Sequence, residues 1–438
     1  MSIELITLIL FGGILGLLAI GVPLAFATGV ISIGLILTNF GVDGLGLVTM
    51  RIYSTLSSFA FVAVPMFVMM GTVLEKSGVA DDLFRAMSVM AGKLRGGLAI
   101  QTLVVSVILA SMSGIIGGEI ILLGLLALPE MLKRNYDRKL AIGTICAGGS
   151  LGTMIPPSIV LIMYGLTTET GIGELFLAVL MPGLMLAGLY MAYVFIIATL
   201  HPEKAPPASD ADLNLSRKEK FNLLKNTLLP IAVAAWVLIC IYSGIASINE
   251  AAGMGVIGAL ISALIKGTLN RGMIREVCLQ TLHICGKLMW IVFGATALIG
   301  VYNLFGGSTY IAGTIEGLNW SPLMVLLMMM LVLFILGMFL DWIGILLLTM
   351  PIFVPIIVGF GYDPIWFGVL FTMNMQMSYL TPPFGPAAFY LKGVAPPDVT
   401  LSEIYSAFWP FIGLQMIAIG LLIAFPEIAL WLPTLLMR

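Results

Sequence analysis

Residues 150–157 of this chain read SLGTMIPP, and residues 376–383 read QMSYLTPP. Each stretch interrupts a long apolar segment, the first at 138–168 and the second at 363–392, and each ends in a pair of prolines. Proline has no backbone N–H donor and its ring clashes with the preceding turn, so a regular helix cannot continue through either pair. The two stretches therefore predict two broken helices, each with backbone carbonyl groups that lack a partner in the helix.

The composition places these breaks inside a membrane. Of the 438 residues, 60% are hydrophobic and only 10% are charged, whereas soluble domains carry about 25% charged residues. Apolar runs of about 20 residues recur along the chain, and the alternating segments of a membrane β-barrel are not visible. The sequence predicts an all-α integral membrane protein that contacts the lipid bilayer, and it excludes a water-soluble enzyme. The net charge of −2 gives no reason to expect nucleic acid as a partner.

A polar stretch at 201–226 divides the chain into two halves of similar layout. It contains three prolines and the longest charged run, RKEK at 217–220. We interpret it as a linker between a first repeat at 1–200 and a second repeat at 227–438. When the second half is laid over the first so that the two proline pairs coincide, a Tyr-Asp dipeptide in each half also coincides. These matches favour an internal duplication.

Basic residues predict opposite orientations for the two halves. The first Tyr-Asp turn, at 136–137, is surrounded by lysines and arginines, whereas the second, at 362–363, lies in a long stretch without any. Basic residues favour the cytoplasmic side, so the first turn is predicted to be cytoplasmic and the second external. That arrangement is an inverted repeat, a common plan of secondary transporters. With ten crossings, the same rule puts 266–287 and the linker in the cytoplasm and leaves only Arg51 and Arg438 outside.

Two apolar segments, 95–131 and 320–358, predict re-entrant helical hairpins. Each is too long for one crossing and is broken in the middle, by SMSGIIGG at 111–118 and by GMFLDWIG at 337–344. In the first of them, the arms of about 14–16 residues are too short, as helices, to cross a hydrocarbon core of about 30 Å. The first hairpin is predicted to enter the membrane from the cytoplasm and its equivalent from outside, and each is followed by one of the broken helices.

The hairpin tips and helix breaks supply ion-binding chemistry. Freed carbonyl groups together with Ser, Thr and Asp oxygens suit a hard cation such as Na⁺, and the exposed amides at half-helix N-termini suit an anion. Two acidic residues, Glu119 and Asp341, lie beside the tips, and ionisable groups at such depth are functional candidates by default. Asp341 is the stronger candidate, as an ion ligand or as a group that orients the tip. For Glu119, a functional role and a structural capping role both remain open.

At these segments the sequence resembles the large membrane subunit of tripartite ATP-independent periplasmic (TRAP) transporters. The resembling residues are 64–67 (VPMF), 77–81 (SGVAD), 96–99 (GGLA), 136–138 (YDR), 156–158 (PPS), 337–341 (GMFLD), 351–355 (PIFVP) and 380–383 (LTPP). The resemblance implies an elevator-type, Na⁺-driven importer of an organic anion, such as a C4-dicarboxylate or sialic acid, in the bacterial inner membrane. It also implies two partners, a small four-helix membrane subunit and a periplasmic binding protein that delivers the substrate.

The resemblance also implies site residues, position by position. The first Na⁺ site would involve Ser111, Ser113, Gly114, Gly152 and Thr153, and the second would involve Gly337, Asp341, Met377 and Thr381. The substrate-binding residues expected at the same tips and breaks are Met112, Gly118, Pro156, Pro157, Gly344, Ser378, Pro382 and Pro383. One departure stands out, because the family often has small residues after Ser113-Gly114, whereas this chain continues IIGGE at 115–119.

Alternatives to this interpretation differ in their demands on the sequence. A self-sufficient Na⁺-coupled carrier of dicarboxylates or other anions would have the same inverted-repeat fold and no partners. A channel has no need of paired re-entrant hairpins. An intramembrane protease would need a Ser–His dyad or two aspartates at depth, and Asp341 has no evident aspartate partner, so the chain is not expected to be an enzyme.

Overall fold

The computed structural model describes residues 1–91, 94–114, 117–207 and 217–436. Within these residues the regular secondary structure is helical, without a β-strand. The helices of the first half are α1 (Ile3–Ala19), α2 (Leu24–Phe40), α3 (Leu45–Leu56), α4 (Ala63–Lys76), α5 (Val79–Ala91), α6 (Gly97–Ser113), α7 (Gly118–Lys133), α8 (Arg138–Ser150), α9 (Ile159–Thr168) and α10 (Ile172–Leu200).

The second half is likewise helical in its described residues. Its helices are α11 (Arg217–Tyr242), α12 (Ile248–Lys266), α13 (Arg271–Leu304), α14 (Gly307–Gly317), α15 (Pro322–Gly337), α16 (Trp342–Gly359), α17 (Pro364–Leu380), α18 (Pro386–Lys392), α19 (Leu401–Ala424) and α20 (Glu427–Leu436). Among the described residues, five helices are long and apolar enough to cross a membrane, namely α10, α12, α13, α16 and α19. The prediction of an all-α membrane protein is confirmed.

Each segment predicted to form a hairpin folds as two helices that pack against each other. Helices α6 and α7 occupy the first segment, and α15 and α16 occupy the second. Each is followed by an interrupted helix. A short 3₁₀ turn, Leu151–Thr153, and the first proline pair separate α8 from α9, and the second proline pair lies between α17 and α18.

Each of the two Tyr-Asp turns begins one of the broken helices. The Asp137 carboxylate accepts a hydrogen bond of 2.9 Å from the backbone N–H of Leu140 at the start of α8. The Asp363 carboxylate accepts one of 2.7 Å from the backbone N–H of Ile365 at the start of α17. Aspartate at this position satisfies an N–H group that the helix itself leaves unpaired. The same dipeptide thus fixes where each broken helix starts.

The structure changes two boundaries taken from the apolar pattern. Helix α11 begins at Arg217, so the last part of the predicted linker, 201–226, is helical, while its residues 208–216 lie outside the described residues. Helix α13 begins at Arg271, so most of the range 266–287, which was predicted as a cytoplasmic region between helices, belongs to one long helix. Charged residues in the range 271–287 therefore belong to a helix and not to a loop between helices.

Packing brings the tips and the breaks to one place. In the first half, α6 and α7 both contact α8, and α6 also contacts the 3₁₀ turn. In the second half, α15 and α16 both contact α17, which also contacts α8, α9 and the 3₁₀ turn. The long helix α13 packs against α2, α3 and α4 on one side and against α16 on another. The two interrupted helices therefore meet each other at the centre of the protein, with a hairpin tip beside each.

Candidate functional site

The first hairpin tip is shaped by glycine. Gly114 ends α6 in the left-handed conformation, with φ of +60°, a region that costs other L-residues roughly 1–2 kcal/mol. A Cβ atom on Gly114 would lie 2.5 Å from the carbonyl oxygen of Pro157 in the first break. Gly117 leads into α7 with φ of +111°, and residues 115 and 116 of the departing IIGGE sequence lie outside the described residues. Glycine at Gly114 thus lets the backbone of the tip touch the backbone of the break.

Glu119, in the first turn of α7, connects the first tip to the first break through its side chain. It is buried, at 2% exposure. The Ser113 hydroxyl donates a short hydrogen bond to Oε1 of Glu119. A Cβ atom on Gly152 would lie 2.7 Å from the same Oε1 and 3.2 Å from Oε2. The carboxylate therefore sits directly against the 3₁₀ turn of the break, where only glycine leaves room for it.

The first break is joined to the second broken helix by a buried hydrogen bond. The Thr153 hydroxyl accepts from Nε2 of Gln376 at 2.6 Å, and the Thr153 carbonyl accepts from the Ser158 hydroxyl at 2.7 Å. The backbone carbonyl of Gln376 in turn accepts from Nε2 of Gln415 at 3.2 Å. Because these groups are buried, each bond is costly to break. The bonds hold the two breaks in a fixed relation to each other.

The second tip lies against the second broken helix. Gly337, at the end of α15, is so close to Ser378 of α17 that an added Cβ atom would overlap the serine side chain. Nδ2 of Asn374, one turn earlier, donates a hydrogen bond of 2.7 Å to the carbonyl of Met330 in α15. At the end of α17, the Thr381 hydroxyl donates to the Met377 carbonyl at 2.7 Å. Asp341 precedes α16 in an extended conformation.

A cavity of 320 Å³ lies between the two tips and helices α4, α13 and α18. It brings five predicted site residues together, because its wall includes Ser113, Gly114, Gly118, Thr153 and Asp341. The other predicted residues do not belong to the wall of this cavity: Ser111, Met112, Gly152, Pro156, Pro157, Gly337, Gly344, Met377, Ser378, Thr381, Pro382 and Pro383. Several of these residues instead form the contacts between tip and break described above.

Charged side chains of opposite sign face this cavity. Lys287 of α13 is exposed and lines the wall together with Asp341 and Glu75. Glu75 accepts a hydrogen bond of 3.4 Å from Nε2 of Gln280. In the part of the chain that the structure describes, no carboxylate lies within 4.0 Å of the Lys287 ammonium group. The cavity thus offers a cationic group that is free to bind an anion.

Sequence reasoning gave no site role to five of the residues on the cavity wall: Glu75, Gln280, Lys287, Tyr379 and Tyr390. For Lys287 the reason is the predicted cytoplasmic range, which ended at this residue. One available signal was the absence of proline between Pro230 and Pro322, which allowed α13 to run through the predicted boundary. For Tyr390, which packs against Gly117 of the first tip, no sequence signal connects the two halves.

The fold and the site together define a multi-pass helical membrane protein with a polar, charged cavity between two hairpin tips. Comparison with known proteins gives the family. Residues 11–428 match the family "Tripartite ATP-independent periplasmic transporter, DctM component", and the chain belongs to this family. It is therefore the large membrane subunit of a TRAP transporter, a multi-pass integral protein of the bacterial inner membrane, and its family is one of transport proteins.

Individual relatives are similar over nearly their whole length. The chain is 30% identical to the C4-dicarboxylate TRAP transporter large permease protein DctM of Pseudomonas aeruginosa, covering 90% of this chain and 91% of that protein. It is 28% identical to the sialic acid TRAP transporter large permease protein SiaM of Vibrio cholerae, with 97% of each covered. The fold is similar to that of the Alcanivorax borkumensis YdaH transporter, with a TM-score of 0.65, 15% identity and coverage of 90% and 91%.

Proposed function

We propose that this chain is the permease subunit of a Na⁺-driven TRAP transporter that imports an organic anion by an elevator mechanism. Family membership supports transport, and the named relatives include permeases for C4-dicarboxylate and sialic acid. The observation that carries the proposal is the contact of each hairpin tip with its neighbouring broken helix around one charged cavity. This arrangement offers oxygen ligands on and beside the cavity wall and a cationic group on it.

The residues at the two junctions between tip and break fit a hard cation, which takes carboxylate, carbonyl and hydroxyl oxygens. At the first junction, the Thr153 hydroxyl and the Pro157 carbonyl lie beside the backbone of Gly114 and Gly152, where a Cβ atom would fill the space. At the second junction, the cation would be held by the Met377 carbonyl, the Thr381 hydroxyl, the backbone of Gly337 and the Asp341 carboxylate. A Na⁺ gradient would supply the free energy for uptake, and these residues would couple it to the movement of the tips.

The cavity wall fits the anion. The unpaired Lys287 ammonium group would bind the acidic group of the substrate, since charge-assisted hydrogen bonds are stronger than neutral ones. Helices α7 and α16 both begin at the cavity, at Gly118 and at Trp342, and helix N-termini favour anions. The predicted substrate-binding prolines and Ser378 do not line this cavity, so in this conformation substrate contact is assigned to Gly118 and Lys287.

In the proposed elevator, the hairpins and broken helices move as one block against helices that stay fixed. The fixed helices would be those at 3–40 and 227–265. A second cavity, of 550 Å³, is lined by α3, α9, α13 and α16, with Arg51 on its wall. In the ten-crossing topology predicted from the sequence, Arg51 is one of the two basic residues outside the cytoplasm, so one cavity would face each side of the membrane. Two cavities that both border the hairpins and broken helices support alternating access.

Partner subunits belong to the same proposal. Exposed apolar side chains on α1, α2 and α12, among them Leu8, Val30 and Ile257, form a lateral surface on which the small four-helix subunit would dock. A periplasmic binding protein would deliver the anion to the external cavity.

The decisive experiment is uptake by purified protein in lipid vesicles. Labelled succinate and sialic acid are offered with an inward Na⁺ gradient or with choline in its place, with and without the small subunit and the binding protein encoded beside this chain. We expect uptake only with Na⁺ and both partners. Robust uptake by the chain alone would favour the self-sufficient carrier, and partner-dependent uptake without Na⁺ would remove the Na⁺ coupling.

The inverted repeat has its own test. Single cysteines are placed at Ser209, which lies outside the described residues, and at Ser308, in a background without the native cysteines. Because the linker is predicted to be cytoplasmic and Ser308 external, an impermeant thiol reagent added outside should label only the cysteine at 308. Labelling of both positions from the same side would remove the inverted repeat.

A further inference from the structure

We propose that the carboxylate of Glu119 is a direct ligand of the cation at the first tip, where the family resemblance supplies only neutral ligands. The inference rests on the proposed Na⁺ coupling and extends it. Glu119 belongs to the stretch, IIGGE at 115–119, in which this chain departs from the small residues typical of the family. The departure therefore changes the charge of the first site.

One oxygen of the Glu119 carboxylate lacks a hydrogen-bond partner in the described structure. Oε1 accepts the Ser113 hydroxyl, whereas Oε2 is buried and has no hydrogen-bond partner in the described structure. Buried polar atoms are nearly always satisfied, and an exception needs an explanation such as an ion. An oxygen that lies against the first break and lacks a donor is a position from which a cation can be bound.

The carboxylate of Glu119 also lacks a basic partner among the described residues. Glu119 is 2% exposed, and among the described residues no Lys, Arg or His side chain lies within 4.0 Å of its carboxylate. The neighbouring ionisable side chain, Glu75, lies beside Gly118 and carries charge of the same sign. Buried charges in proteins are paired or coordinate metal ions. With no basic partner, the charge of Glu119 calls for a cation from solution.

The hydrogen bonding of Glu119 excludes the capping role that the sequence left open. Glu119 stands in the first turn of α7, where a capping side chain would accept from backbone N–H groups of that turn. The start of α7, at Gly117, has no side-chain cap, and the hydrogen bond found for Glu119 comes from Ser113 of the other hairpin arm. Both carboxylate oxygens face Gly152 of the break. The Glu119 side chain therefore contacts both the tip, through Ser113, and the break, at Gly152.

The test is Na⁺ binding to the purified chain, measured by the rise of its melting temperature as NaCl replaces choline chloride at constant ionic strength. The variant Glu119→Gln keeps the shape and removes the charge. Glu130→Gln, on the same helix and paired with Arg134 at the surface, is the matched control. We expect Glu119→Gln to raise the Na⁺ concentration for half-maximal stabilisation about tenfold, which corresponds to about 1.4 kcal/mol of lost binding, and Glu130→Gln to leave it unchanged.

The outcomes separate this inference from the proposed function. Wild-type Na⁺ dependence in Glu119→Gln would overturn the inference and leave Na⁺ coupling intact, because it would mean that the charge of Glu119 does not contribute to Na⁺ binding. No stabilisation of the wild-type protein by Na⁺ would instead overturn the coupling itself. If Glu119→Gln does not fold, Na⁺ binding is measured on Glu119→Asp instead. Aspartate keeps the negative charge, but its side chain is one methylene group shorter, so the carboxylate lies farther from the break. Unchanged Na⁺ affinity in Glu119→Asp would overturn the inference.

Discussion

The two hairpin tips carry their carboxylates in different surroundings. Glu119, at the first tip, is buried against Gly152 and bonded to Ser113. Asp341, at the second tip, is exposed and lies on the wall of the cavity between the tips. The same plan therefore yields one closed acidic site and one that water and ions reach from the cavity. We infer that the first site holds its cation firmly and that the second exchanges it.

The backbone conformation and the close contacts of the two tips also differ. The first tip needs left-handed glycine at Gly114 and positive φ at Gly117, and its backbone touches Pro157 of the break. The second tip leaves α15 at Met338 in a right-handed conformation, and its close contact is with a side chain, that of Ser378. A side chain can move aside more easily than backbone, so the first junction tolerates less change than the second.

The largest effect is expected for Gly114→Ala. The new Cβ atom would lie 2.5 Å from the Pro157 carbonyl oxygen, and alanine disfavours the left-handed conformation by roughly 1–2 kcal/mol. Initial uptake rates should fall by about tenfold or more. Gly188→Ala in α10, where nothing lies within 4 Å of the new atom, should keep the wild-type rate. Normal uptake by Gly114→Ala would show that the first junction need not close tightly.

Asp341→Asn should have the next largest effect. Removing one negative oxygen ligand weakens cation binding at the open site, so the Na⁺ concentration for half-maximal uptake should rise by about tenfold. Expression and melting temperature in choline should be unchanged, because the side chain is exposed. Asp43→Asn, in the short turn Val42–Gly44, is the control. If uptake by Asp341→Asn shows wild-type Na⁺ dependence, Asp341 is structural and the second site consists of backbone and Thr381.

Lys287→Met should weaken binding of the substrate anion and leave the Na⁺ dependence of uptake unchanged. Loss of the ammonium group removes a charge-assisted hydrogen bond in a cavity that water reaches, so KM for the anion should rise about fivefold. Lys287→Arg should retain most of the affinity. The control is Arg275→Met, earlier on α13 and not on the cavity wall. An unchanged KM with an altered Na⁺ dependence would move Lys287 from the anion to the cation.

The smallest effect is expected for Ser111→Ala. The Ser111 hydroxyl donates to the Ile108 carbonyl of its own helix at 2.7 Å, so its side chain has a local partner away from the junction. Uptake and Na⁺ affinity should change less than about twofold, within the range of ordinary surface changes. Ser113→Ala, which removes the donor to Glu119, should have a clearly larger effect. Equal effects of the two variants would contradict the assignment of the junction to Ser113.

Much of the fold follows from local sequence chemistry. The proline pairs lie where α8–α9 and α17–α18 are interrupted, and the Tyr-Asp turns begin α8 and α17, because proline and aspartate act on the backbone within a few residues. The helix boundaries that differ, at Arg217 and Arg271, lie where charged residues continue a helix beyond its apolar part. Hydropathy reports the depth of a residue in the membrane, and helices can extend beyond that depth.

The site is less accessible to sequence reasoning, because its contacts join distant parts of the chain. Five predicted residues meet at one cavity, yet the bond from Gln376 to Thr153 and the placement of Lys287 opposite the tips require the packed structure. The contact of Glu119 with Gly152 is of the same kind. Their assigned roles as ligands stay predictions, since side chains that pack together can also be structural.

The most direct measurement is a pair of cryo-electron microscopy maps of the protein in lipid nanodiscs, one in NaCl and one in choline chloride. The account predicts one Na⁺-dependent density among Ser113, Glu119 and Gly152, and a second among Gly337, Asp341 and Met377. The first should persist at lower Na⁺ concentration than the second, because its carboxylate is closed off from the cavity. Maps with clear side chains and no Na⁺-dependent density at either junction would contradict the account.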